Sequence, residues 1–179
     1  SSSDKVICLP PVKKSCYCAS EFTRGGKPTL KFREESMKTY VDFQRNVIKE
    51  LKVKNSKEIL AVSIMHVNNI IGTIQDIEQI GKLCKTYNVP FHTDAIQSFS
   101  KLKIDTKLAN IDMLSASAHK INGPKGAGFI YIKDGIKIKP LIFGGGQEKD
   151  LRSGTENVPA IMGFAKALEL YKKINKNKT

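Results

Sequence analysis

The chain has 179 residues, of which 40% are hydrophobic and 26% charged, a make-up expected of one soluble globular domain. No apolar run within it approaches the roughly 18 residues of a membrane-spanning helix. Thirty Lys and Arg against 17 Asp and Glu give a net charge of +13. The excess is spread along the chain, and its densest runs, 136–140 and 171–178, carry almost no aromatic residues on which bases could stack. A solvated basic surface is therefore expected, and a nucleic-acid site is not.

The cysteines, Cys8, Cys16, Cys18 and Cys84, lack the paired spacing of a zinc site and read as reduced thiols. The first residues, "SSSDKVICLPP", have neither the charged start nor the apolar stretch of a signal peptide, and read as an internal cut.

In chain order, "KVICL" (5–9) is a short apolar strand ended by Pro10 and Pro11. Residues 12–32 are polar and without period, a loop or insertion. From 34 to 51, Met37, Tyr40, Val41, Val47, Ile48 and Leu51 fall at roughly helical spacing. Strand and helix signals then alternate: strand 58–65, helix 76–87, strand 89–94, strand 111–117, strand 126–133 and helix 159–173. Continuous apolar strands separated by helices predict an α/β fold, a mostly parallel sheet with helices on both faces. The organisation expected is an N-terminal strand, basic insertion and helix over 1–57, followed by a core over 58–179.

In such sheets ligands bind beyond the carboxyl ends of the strands. Those ends here carry His66, Asn68 and Asn69, then Asp94 and Gln97, then Ser117, His119 and Lys120. A lysine made partly neutral by burial can act as a nucleophile. Chemistry on pyridoxal phosphate needs such a lysine and a carboxylate facing the pyridine nitrogen, roles open to Lys120 and Asp94. Gln97 and Asn69 are candidates for the ring oxygen, Ser117 and His119 for the phosphate.

Other motifs fit less well. "GPKGAG" (123–128) has the wrong spacing for a dinucleotide loop, contains proline and precedes a strand. "GGGQEKDLRSGT" (144–155) lacks the Gly-Lys-Ser/Thr core of a triphosphate loop. His92 and Asp94 offer two metal ligands without an evident third.

The blocks "MHVNNIIGTIQDI", "HTDAIQSFSK", "DMLSASAHKINGPKGAGFIYI" and "FGGGQEKDLRSGTENVPAI" resemble, in order, those of the cysteine desulfurases of class V aminotransferase fold. The "HVNN" and "GGGQE" blocks resemble the branch serving nitrogen fixation and iron–sulfur cluster assembly. The resemblance runs from about residue 60 to 170 and implies part of the large domain of a fold-type I pyridoxal-phosphate enzyme. It implies that Lys120, paired with His119, carries the cofactor, that Asp94 faces its ring nitrogen and that Gln97 faces its ring hydroxyl. It further implies that Ser117 and His119 take the phosphate, that Asn69 lies near the ring and the substrate carboxylate, and that Thr155 reaches the cofactor of a partner subunit in a homodimer.

The reaction implied removes sulfur from L-cysteine, leaving alanine and a persulfide destined for an iron–sulfur scaffold protein. The family's persulfide-forming cysteine follows the "RSGT" block at a distance where this chain has none, so the chain by itself is expected to be inactive. Cys84 falls in the helix predicted over 76–87 and is expected to be buried. Ile70 stands where the family has an acidic residue, and 12–57 is longer and more basic than usual. Selenocysteine lyase shares these blocks and is the near alternative. A non-catalytic module using its basic surface is the alternative from another class. The implied compartment is the mitochondrion, or the cytoplasm if the source is bacterial.

Overall fold

The computed structural model describes residues 5–8 and 59–176. The helix expected over 34–51 and the polar stretch 12–32 lie outside the described residues, as does most of the unit expected over 1–57. One five-stranded sheet is built in sequence order from β1 (Lys5–Cys8), β2 (Ile59–Met65), β3 (Phe91–Asp94), β4 (Met113–Ser117) and β5 (Gly128–Ile132). The first four strands are parallel and β5 returns antiparallel along β4. Helix α1 (Ile77–Thr86) connects β2 to β3, and α2 (Val158–Lys176) follows the sheet. The expected mostly parallel α/β architecture is present, with element ends displaced by a few residues. No helix among the described residues is long and apolar enough to cross a membrane.

Alternation along the strands decides which side faces the core. Val62 and Ile64 of β2 are buried, whereas Ala61, Ser63 and Met65 between them are half-buried. Register carries this side across the sheet, placing Val62 beside Phe91 and Ile64 beside Thr93, which in turn lies beside Leu114. Fully burying side chains of this size contributes ~1.5–3 kcal/mol each.

Helix α1 closes this side of the sheet. Its buried residues, Ile77, Ile80, Gly81 and Cys84, recur at the spacing of a single helical stripe. Its start is set by Asp76, whose carboxylate accepts a hydrogen bond from Gln79 N at 2.9 Å. Gly81 is the point of closest approach, for a Cβ there would lie 1.7 Å from the Ala109 carbonyl oxygen and 3.3 Å from the Phe91 ring.

Helix α2 joins the sheet through aromatic rings. Phe164 lies 6.0 Å, centroid to centroid, from both Phe99 and Phe129, and those two meet edge to face at 5.1 Å. Opposite the carboxyl ends, Asp112 ties the strands together, accepting from Phe91 N at 3.0 Å and from Lys133 Nζ at 3.0 Å.

The Gly81 contact sets a stability test. In the intact protein Gly81→Val is expected to cost ~1–3 kcal/mol of unfolding free energy through overpacking. Lys82→Ala, on the exposed side of α1, is expected to stay within about 0.5 kcal/mol of the parent. Urea unfolding followed by circular dichroism compares the two.

Candidate functional site

Met65, Asp94 and Ser115 stand in one row across β2, β3 and β4. The ladder continues a step beyond each strand, with His66 N donating to Asp94 O and Ala95 N donating to Ser115 O, both at 2.9 Å. Asp94 is thus fixed through its backbone from both neighbours, at the centre of the carboxyl edge. Its side chain is half-buried, and Oδ1 accepts from Ile96 N at 2.9 Å. No described residue donates to Oδ2, so that oxygen is available to a ligand.

Lys120 owes its place to the turn after β4. Ser117 is still extended, and Ala118–Ile121 then form a 3₁₀ turn. Three residues per turn put Ala118 and Ile121 on one side, where both are buried, and leave His119 exposed and Lys120 half-buried. Asn122 ends the turn in the left-handed region, with φ 62°. Gly123 N donates to Ala118 O at 2.9 Å, and a Cβ on Gly123 would fall 2.9 Å from Ala118 Cβ. Pro124 lies against α2, where a Cβ on Gly163 would come within 2.6 Å of its ring. The punctuation around Lys120 thus reflects two close approaches and one left-handed residue. No described residue forms a hydrogen bond with its amine.

Ser117 and His119 lie together, with Ser117 Oγ 2.6 Å from His119 Nδ1 and 3.4 Å from Ala127 O. They present a hydroxyl and an imidazole on the same edge as Lys120. Gln97 is half-buried in the turn after β3, where Ser98 N and Phe99 N both donate to Ala95 O.

The paired asparagines divide their tasks. Asn68 Oδ1 accepts from Ile70 N and Ile71 N at 2.9 and 3.1 Å, and Asn68 N donates to Thr73 O at 2.9 Å. This small loop, pinched by a bridge between Val67 and Ile74, holds Asn69 exposed beyond β2. Asn68 is occupied in shaping the loop, whereas Asn69 is free to meet a ligand.

Thr155 is carried by none of these three strand ends. It is exposed in the loop before α2, just after the buried Ser153. That loop is closed by bonds from Ser153 N to Ile142 O at 3.2 Å and from Gly154 N to Gln147 Oε1 at 2.9 Å. The other six residues singled out from the sequence, Asn69, Asp94, Gln97, Ser117, His119 and Lys120, all lie beyond the carboxyl ends of β2, β3 and β4 or at their last residues.

Two further histidines, His66 just past the end of β2 and His92, which the sequence offered only as a possible metal ligand, are also fixed here. His66 Nδ1 lies 2.9 Å from Ser98 Oγ, and His92 Nδ1 lies 2.7 Å from Ser63 Oγ. Burial lowers the pKa of both, with Asp94 partly opposing the shift in His92. The alternation of "FHTD" was the available signal, since it puts His92 and Asp94 on one side of β3 and buried Thr93 on the other. Cys84 is buried as expected, and burial, reinforced by Asp112, pushes its thiol up to about 12.

Residues 35–179 match the family model for class-V aminotransferases. The chain is 52% identical over 123 residues to a cysteine desulfurase IscS of Clostridium botulinum, covering 69% of this chain and 31% of that protein. It is 49% identical over 146 residues to a mitosomal cysteine desulfurase of Trachipleistophora hominis, covering 78% and 33%. Among solved structures, a NifS-like protein from Rickettsia africae superposes with a TM-score of 0.68 at 40% identity, covering 72% of this chain and 36% of that one. The chain spans about a third of the length of the curated relatives it matches. On the strength of the match over 35–179, it belongs to the class-V aminotransferase family, and within that family it is similar to the cysteine desulfurases.

Proposed function

We propose that this chain is the cofactor-bearing core of a pyridoxal-phosphate-dependent cysteine desulfurase. The full-length protein takes sulfur from L-cysteine, releases L-alanine and passes persulfide sulfur to an iron–sulfur scaffold protein. The observation that carries this reading is the placement of Asp94, with one uncommitted carboxylate oxygen, at the centre of the edge whose next strand leads into the Lys120 turn.

The residues present fit the cofactor. When bound, pyridoxal phosphate supplies a ring that withdraws the electron pair left on the substrate's α-carbon when a bond there breaks. Asp94 Oδ2 holds a protonated ring nitrogen by a charge-assisted hydrogen bond, while the bond from Ile96 N keeps the carboxylate from rotating. Lys120 would hold the cofactor through Nζ, and the same nitrogen, when free, would be placed to carry a proton to or from the substrate. Ser117 Oγ and the His119 ring donate towards the phosphate, and Gln97 towards the ring oxygen. Asn69 meets the ring and the substrate carboxylate.

The cysteine desulfurases among the relatives support cysteine as substrate, as does a solved relative described as SspA in complex with cysteine, 47% identical with a TM-score of 0.64. Thr155 serves the cofactor of a second subunit. A dimer is supported by the apolar surface around that loop, where Leu141, Phe143, Val158 and Met162 are 95%, 79%, 58% and 64% exposed. A mitochondrion-type compartment is the proposed location, supported by the mitosomal relative.

Three outcomes are expected of the full-length protein. Borohydride treatment of the pyridoxal-phosphate-loaded protein fixes the cofactor to Lys120, and mass spectrometry of peptides finding it on another lysine would overturn the assignment. Asp94→Ala lowers desulfurase turnover at least about a hundredfold, as for loss of one preorganised electrostatic contact, and undiminished turnover would remove Asp94 from the site. The double variant Leu141→Asp, Phe143→Asp sediments as a monomer and retains cofactor poorly, and a stable dimer of this variant would refute the interface.

A further inference from the structure

His66 touches the segment Asp94–Ser98 at both of its ends. Its backbone N–H donates to the Asp94 carbonyl at 2.9 Å, and its ring Nδ1 lies 2.9 Å from the Ser98 hydroxyl. Between these two points lie the Asp94 carboxylate, set by Ile96 N, and the side chain of Gln97. On the opposite flank the same segment is held by one bond, from Ala95 N to Ser115 O. We propose that His66 is a positioning residue, whose two-point grip on Asp94–Ser98 sets the angle at which Asp94 and Gln97 face the cofactor.

The chemistry of the contact favours a neutral ring that accepts. The Ala95 carbonyl already receives Ser98 N at 3.0 Å and Phe99 N at 2.7 Å, which fills both of its lone pairs. The Ser98 hydroxyl lies 3.3 Å from that carbonyl and 2.9 Å from His66 Nδ1, so the ring is its shorter contact. Burial lowers the pKa of the imidazole, which favours its neutral form. His66 is only 5% exposed and Ser98 only 1%, so the bond is shielded from competing water. Leucine at position 66 would keep the backbone bond and the bulk while removing the side-chain one. Asparagine, whose amide reaches about as far as Nδ1, would preserve both.

The inference rests on the reading that Asp94 and Gln97 face pyridoxal phosphate, and its test separates the two. In the full-length apoprotein, pyridoxal-phosphate affinity is measured by absorbance titration and backbone exchange by deuterium uptake in peptides covering 94–99. His66→Leu and Ser98→Ala are each expected to weaken cofactor binding about five- to tenfold, the range for one buried hydrogen bond. Both should speed exchange in 94–99 while leaving α1 protected. The double variant should be no worse than either single one, and His66→Asn should bind like the parent.

Parent-like affinity and exchange in His66→Leu and Ser98→Ala, in a protein where Gln97→Ala does weaken binding, would overturn the inference and leave the cofactor reading intact. Loss of protection throughout α1 and the sheet in both variants would likewise overturn it, by showing a general structural role. If Gln97→Ala and Asp94→Ala both leave affinity unchanged, the cofactor reading itself fails, and the inference with it.

Discussion

The row formed by Met65, Asp94 and Ser115 is the constraint on which the site depends. Strand side chains alternate, so a slip of β3 by one residue would turn the Asp94 carboxylate towards the core and bring Thr93 to the edge. Thr93 is fully buried and its hydroxyl donates to Ile64 O at 3.0 Å, a bond available only in the observed register. Phe91, two positions away and also fully buried, fills the space between Val62 and α1. Apolar packing on one side of β3 therefore places a charge on the other. Burying a carboxylate without a partner costs far more than any loop rearrangement recovers, which makes this register the strongly preferred one.

Given the row, each loop solves a different local problem. After β2 the chain reverses within a few residues, and Asn68 supplies from its side chain the acceptors that backbone carbonyls cannot. After β3 the chain turns at once, with two amides converging on Ala95 O and a serine hydroxyl reaching back to His66. After β4 a single 3₁₀ turn is pinned by Ala118 and Ile121, which are 0% and 2% exposed. The amine of Lys120 is thereby referenced to the core through two buried neighbours.

The order and type of the described elements were legible because β2 and β5 are largely apolar runs, β3 and β4 alternate in character, and α1 has a single stripe of buried residues. The carboxyl-edge rule then picked out Asp94, Gln97, Ser117, His119 and Lys120 from a chain with 30 basic residues, where abundance alone says nothing of any one lysine. What could not be read were bonds between residues distant in sequence. His92 and Ser63 are 29 positions apart, and His66 and Ser98 are 32 apart, so no local pattern pairs them. Asn68 and Asn69 are likewise indistinguishable until the loop geometry shows which one is consumed. Nor did "EKD" announce that Glu148, Lys149 and Asp150 all take positive φ, at 49°, 57° and 62°, a conformation usually left to glycine or asparagine.

Cysteine chemistry follows from the same packing. Sulfur transfer requires a thiolate that can leave the protein interior and meet both substrate and acceptor. Cys84 is 1% exposed, in the stripe of α1 that closes the core, and its thiol is pushed up to about 12. While the helix stays packed, burial therefore keeps the thiol protonated at neutral pH, the wrong state for a nucleophile. Its neighbours explain the choice of residue, since a small apolar group is what fits beside Ile80 and Val89. On the proposed desulfurase reading, the sulfur-carrying thiol is therefore a different cysteine from Cys84, whose place in the buried stripe of α1 is a packing one.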